Sequence, residues 1–293
     1  MPPGPALGRA PFARPDPQSA QLLTIIQSAR QPVPLAAVVR EYTAYGSLLK
    51  HLTLRDLRLR YRHASLGLLW VIVQPVVSMI VFALVFSRVL RPATGDVPYS
   101  LYALAGLVPW SFFASSLSRA CMVFVANSGL LTKVYFPRAI LPASAVLGSA
   151  LDLAVGCGLV CLYAVGSGFW PSWRWMLLPA VAAQAVVTTF FIALGLATLN
   201  AIQRDVKHAM QFVIQLWMYA SPVVYPSSLV PGPYRWLFGL NPLTSVLDGF
   251  RWCLFGTPPD WPLYAASVVS MAALAAGAVR LFFHFERTLA ERV

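Results

Sequence analysis

The chain has 293 residues, 58% of them hydrophobic and 11% charged, with a formal net charge of +12. Soluble domains carry nearer a quarter charged residues, so this composition excludes a water-soluble globular protein and describes a polytopic membrane protein. In that setting a basic excess points to anionic lipid and the cytoplasmic face, and away from nucleic acid.

Residues 1–40 open with "MPPGPALGRAPFARPDPQ", proline-rich and without an apolar core of signal-peptide length. They are expected to form a disordered cytoplasmic tail. Residues 41–63 are expected to be a basic helix. In "HLTLRDLRLRYRHASLGLLW" (51–70), His51, Arg55, Arg58 and Arg62 fall on one helical stripe, and Leu54, Leu57 and Tyr61 on an apolar one beside it. That is the pattern of a helix lying in the membrane interface. Leu57, Leu59 and Tyr61 also alternate with arginine, as a strand would, but the junction with an apolar run favours a helix. The cations either anchor the chain by charge or bind a phosphate-bearing lipid.

Residues 64–293 are expected to be one transmembrane domain. A span needs about 20 mostly apolar residues. Sufficient windows are 64–87, 97–118, 139–151 continued past Asp152 through 153–173, 175–203, 209–234 and 261–279, which predicts six spans. With the N-terminus inside, sixteen Lys and Arg fall on the cytoplasmic side and five (Arg88, Arg91, Arg174, Arg235 and Arg251) on the outer side. This positive-inside asymmetry places both termini in the cytoplasm.

Between the second and third spans stands "NSGLLTKVYFPRAILP" (127–142). Residues 128–136 fit about two helical turns, which Pro137 stops because it lacks an N–H and clashes with the preceding turn. Pro142 is tolerated in the first turn of the next span. Leu130, Leu131, Val134 and Tyr135 give the short helix an apolar face, and Lys133 and Arg138 give it charge. It is either a lever that docks on a partner or a tight connector whose cations enforce topology. Asp152 is deep in a span, where carboxylates need a partner. Arg119, at comparable depth on the preceding span, is the expected ion-pair partner.

The outer segment 227–262 is too broken for a plain loop. In "NPLTSVLDGFRWCLFG", Asn241 reads as N-cap, Pro242 as first helical residue and Gly256 as the residue past the end. Its 14 or so helical residues reach about 21 Å, short of a span. Such a helix re-enters partway or lies in the outer interface. The four cysteines and four histidines show no ligand spacing, no paired carboxylates meet, and no lysine follows a glycine as in a phosphate loop. No catalytic or metal site is therefore expected. A membrane-embedded transferase would need paired acid and base groups near one face, and the sequence offers none.

Three stretches together, "RDLRLRYRHASLGLLWVIVQP" (55–75), "NSGLLTKVYFPRAILP" (127–142) and "NPLTSVLDGFRW" (241–252), resemble the membrane subunit of bacterial polysaccharide-exporting ABC transporters, the ABC-2-type permeases. The resemblance covers roughly residues 45–290; the proline-rich leader departs from it. It implies an all-α membrane protein: six transmembrane helices, an N-terminal interfacial amphipathic helix, a cytoplasmic coupling helix, and an external re-entrant or interfacial helix before the last span. It implies a homodimer in the bacterial cytoplasmic membrane, paired with two copies of a separate ATP-binding cassette subunit that holds ATP and magnesium. The cargo would be lipid-linked polysaccharide, such as O-antigen, capsule or teichoic acid precursors. An ABC-2-type exporter of drugs or haem is the alternative; the basic helix and the aromatic wealth favour the glycan. By resemblance, Lys133, Tyr135, Phe136 and Arg138 couple to the ATPase, while Arg55, Arg58 and Arg62 meet the lipid phosphate. Asn241, Thr244, Phe250 and Trp252 form an external gate, and Trp70, Phe212, Trp217 and Tyr219 line the channel.

Overall fold

The structure, a computed structural model, describes residues 45–62, 69–133, 136–203, 205–230 and 232–286. Every regular element among them is helical. The first is α1, Gly46–Arg62. It buries Leu52 and leaves Leu54 and Leu59 exposed, at 38% and 59%. The predicted start at 41 lies outside the described residues. The long apolar α2, Leu69–Thr94, leaves most of its surface uncovered within the subunit.

The central element is α3, Tyr99–Cys121, whose Leu101, Leu104, Phe112, Phe113 and Leu117 are fully buried. Two short helices follow, α4 (Val123–Ala126) and α5 (Ser128–Lys133). Asn127 joins them: its Nδ2 donates to the Val123 carbonyl at 2.9 Å, and its own carbonyl accepts from Leu130 and Leu131. Of the predicted helix 128–136, Ser128–Lys133 is helical, and residues 134 and 135 lie outside the described residues. Phe136 and Pro137 are buried and lie outside any helix. Ile140 and Leu141 donate to the carbonyls of Pro137 and Arg138, and the chain then winds into α6, Ile140–Gly166.

A 3₁₀ turn, Trp173–Leu177, leads into α7, Leu178–Ile202, with proline in its first turn. Asn200 ties three elements together at the end carrying α4 and α5. Its Nδ2 donates to the Cys121 carbonyl at 2.8 Å, and its Oδ1 accepts the Lys207 amide at 3.1 Å. From there α8 runs Val206–Tyr219 and stops. The predicted span 209–234 is thus not one helix. Pro222 has no N–H and disfavours helical Ser221, so the chain beyond Tyr219 turns sharply, with Val223 N donating to Ser221 O at 2.7 Å. At 14 residues, α8 reaches about 21 Å. Among the described residues five helices, not six, are long and apolar enough to cross a membrane: α2, α3, α6, α7 with its leading turn, and the last helix α11, Trp261–Phe285.

Between α8 and α11 the chain makes a helical hairpin. α9 is Arg235–Leu240 and α10 is Pro242–Phe255. Asn241 caps α10 by accepting the Leu243 amide, and Gly256 ends it at φ +75°, a left-handed position that glycine adopts without strain. The hairpin tip lies along α11: Ser267 Oγ donates to Asn241 O at 2.7 Å and accepts the Ser245 amide at 3.0 Å, and Ser270 donates to Leu240 O. Ser267 is about 9 Å along α11 from its first turn. The far end of α10 returns to the loop before α7, where Trp175 Nε1 donates to Leu254 O at 3.2 Å. Trp173, Trp252, Trp261 and Tyr264 form a chain of edge-to-face rings there, as at a membrane–water interface.

Candidate functional site

The basic helix sorts its cations by face. Leu52, Asp56 and Arg60 recur every four residues and point inward; Asp56 and Arg60 side chains are 27% and 22% exposed. Two residues of the stripe predicted to bind phosphate have described side chains. Arg58 is exposed, and Arg55 pairs with Asp56 at 3.1 Å and donates to Asn127 Oδ1 at 2.9 Å, which ties α1 to the head of α5. Arg62 closes α1; its side chain lies outside the described residues.

Arg60, which lies off the predicted basic stripe, makes an ion pair with Asp152. Arg119, the expected partner of Asp152, donates to Ser149 on α6 and to Ser115 one turn back on α3. Arg60, Arg119 and Asp152 share one cavity of about 210 Å³ with Trp70, Gln74 and Ser115. Four helices meet at it: α1, α2, α3 and α6. Two guanidiniums against one carboxylate leave it with a formal charge of +1. Such a cavity can hold an anion or ordered water.

The second polar cluster lies at the hairpin. Arg251, 2% exposed, donates through Nη1 to Pro222 O and through Nη2 to Val223 O, each at 2.7 Å. Its guanidinium carbon lies 3.9 Å from the centre of the Tyr102 ring, and Asp248 is 3.6 Å away. Gly106 on α3 makes room: a Cβ there would stand 2.0 Å from Val223 O. The guanidinium thus supplies donors to two carbonyls of the turn that follows α8, which have no helical partner there. Arg251, counted among the outer cations, is buried within the subunit. Asp248 three residues earlier, an acid–base pair in an otherwise apolar helix too short to span, is the sequence signal that would have found it.

The other predicted residues are placed as follows. Lys133 ends α5, its side chain outside the described residues, as is Tyr135. Phe136 is 4% exposed, so its ring anchors the connection within the subunit. Arg138 is half-buried at the head of α6. Asn241, Thr244 and Phe250 are buried, and Trp252 belongs to the edge-to-face chain of rings. Trp70, Phe212 and Tyr219 are exposed, at 52%, 63% and 60%. Trp217 packs on Phe113 and donates to Asn241 Oδ1 at 3.2 Å, which makes it a brace between α8 and the hairpin. Among the described residues no three His, Cys, Asp or Glu side chains come together as a metal centre would require.

Long apolar helices, a polar cavity within them and a hairpin packed along the last helix define an integral membrane protein. Residues 47–255 match the membrane domain family of ABC-2 type transporters, and the chain belongs to that family. It is 31% identical over 241 residues to the O-antigen export system permease protein RfbA of Myxococcus xanthus, covering 81% of this chain and 92% of that protein. An O-antigen export system permease protein RfbA of Klebsiella pneumoniae is 31% identical over 205 residues, 70% of this chain and 78% of that protein. The polysialic acid transport protein KpsM of Escherichia coli is 23% identical over 199 residues, 67% of this chain and 77% of that protein.

Proposed function

We propose that this chain is the transmembrane subunit of an ATP-driven exporter that moves lipid-linked polysaccharide across the bacterial cytoplasmic membrane. The observation that carries the reading is the likeness to O-antigen permeases, which extends over most of this chain and nearly all of the Myxococcus protein. The subunit works as a homodimer with two copies of an ATP-binding cassette partner; the chain's own three lysines form no phosphate loop. Both termini lie in the cytoplasm. The α4–α5 end faces the partner, and α5 is the coupling element. Phe136 acts as its buried anchor, with Lys133, Tyr135 and Arg138 around it.

The basic helix and the Arg60–Arg119 cavity form the entrance for the lipid phosphate, with Arg55, Arg58 and Arg62 as its outer rim. A phosphate gains charge-assisted hydrogen bonds from guanidiniums that a neutral drug does not. The exposed aromatics Trp70, Phe212 and Tyr219 offer ring faces to sugars. The α9–α10 hairpin, with Asn241, Thr244, Phe250 and Trp252, is a re-entrant element that closes the outer end. Deleting the gene in its bacterial host tests the function. Surface polysaccharide disappears and its lipid-linked form accumulates inside, and the wild-type gene restores both. Unchanged surface glycan in the deletion strain overturns the reading.

A further inference from the structure

We propose that Asp152 is a resident stand-in for a phosphate group, and that an anionic lipid phosphate binds the cavity by taking Arg60 away from it. This rests on the reading of the chain as an exporter of a lipid-linked cargo. Four observations carry it. The cavity holds about 210 Å³, far beyond the ~10–15 Å³ that one water needs. Its lining brings together guanidiniums from two different helices, Arg60 and Arg119, with the Gln74 amide, the Ser115 hydroxyl and the Trp70 ring. Its one carboxylate is already engaged with Arg60. And Trp70 and Gln74, on the α2 wall, are exposed, so the cavity opens to the flank of the subunit rather than into its core.

Carboxylate and phosphate present guanidinium with nearly the same pair of oxygens. Asp152 therefore occupies, at rest, the position a phosphate oxygen pair would take. A phosphate bound there must compete with it, because two anions cannot share one guanidinium without repulsion. Competition also loosens α1, since Arg60–Asp152 is one of its ties to the spans; another runs from Arg55 to Asn127 at the head of α5. The resting contact is thus autoinhibitory, and the ligand that releases it is recognised by phosphate charge.

The proposal makes the two partners of one ion pair behave oppositely. The full chain in nanodiscs of neutral phosphatidylcholine is titrated with a short-chain polyprenyl diphosphate and, separately, with phosphatidylglycerol. Asp152→Asn is expected to tighten binding of the diphosphate about tenfold, Arg60→Gln to weaken it about tenfold, and Asp152→Glu to leave it near wild type. Arg119→Gln, which keeps both Arg60 and Asp152, weakens binding as well and keeps the test open if Asp152→Asn does not fold. A purely structural pair predicts that Asp152→Asn and Arg60→Gln weaken binding together; that result, or full-strength binding by Arg60→Gln, overturns the proposal. Tighter binding of polyprenyl diphosphate assigns the cavity to cargo, and tighter binding of phosphatidylglycerol assigns it to the surrounding bilayer. Either result supports the phosphate site, and the export reading is judged separately by surface polysaccharide.

Discussion

Replacing Arg251 by Met tests how the break after α8 is held. Methionine keeps the length and apolar stem but donates no hydrogen bond. It leaves Pro222 O and Val223 O without donors and Asp248, with a side chain 10% exposed, without its cation. Each orphaned buried carbonyl costs about 1–3 kcal/mol, and removing one partner of a buried pair costs about 3–5 kcal/mol. These terms overlap, so about 3–5 kcal/mol is the expected loss for the segment as a whole. That is about a 140- to 3,700-fold shift toward the loosened state, at 1.4 kcal/mol per power of ten. In a chain of this size it corresponds to a fall of about 6–20 °C in thermal midpoint. The assay is a single cysteine at Val224, 8% exposed in the folded chain, reacted with a thiol reagent while the protein is warmed in detergent. Labelling should begin at a lower temperature in Arg251→Met. Arg251→Lys should fall between, because an ammonium cannot fork across both carbonyls. Labelling curves of Arg251→Met that superimpose on wild type would refute the assignment of Arg251 as the brace.

Gly106→Ala perturbs the same contact from α3, because its Cβ would stand 2.0 Å from Val223 O and 2.9 Å from Arg251 Nη2; the same labelling assay should show loosening of about 1–3 kcal/mol. Phe136→Ala removes a buried ring and should cost about 3–5 kcal/mol; in membranes the variant should still bind its ATPase partner yet hydrolyse ATP without exporting glycan, and normal export would remove Phe136 from coupling. Asn241→Ala deletes the cap of α10 and the acceptor of Trp217, a loss of about 1–2 kcal/mol read as easier proteolysis of the hairpin. A reporter fused after Arg138 should behave as cytoplasmic and one after Arg235 as external; residue 138 on the outside would refute the topology.

Much of the fold is legible because its signals are local. Four windows, 97–118, 139–173, 175–203 and 261–279, correspond to α3, α6, α7 and α11 within a few residues at most ends. The Asn241, Pro242 and Gly256 signature bounds α10 as written in the sequence. The window 209–234 misleads because hydropathy registers apolar side chains and not the backbone break that Pro222 introduces. The site is less legible because its contacts join distant segments. Arg60 is 92 positions from Asp152, and a helical wheel of α1 alone ranks the most basic stripe first and passes over Arg60. The role of Arg251 is hidden for a related reason: counting cations by side of the membrane does not show which are buried, and two carbonyls, a ring and a carboxylate surround this one within the subunit.

Reconstitution measures the central claim most directly. The chain is purified with its ATP-binding partner, placed in proteoliposomes loaded with lipid-linked polysaccharide, and supplied with ATP. Polysaccharide should move to the opposite leaflet at a rate that depends on ATP and falls when Arg60 and Arg119 are both neutralised. ATP-driven movement of a neutral drug or of haem, with the polysaccharide left where it was, would contradict the account.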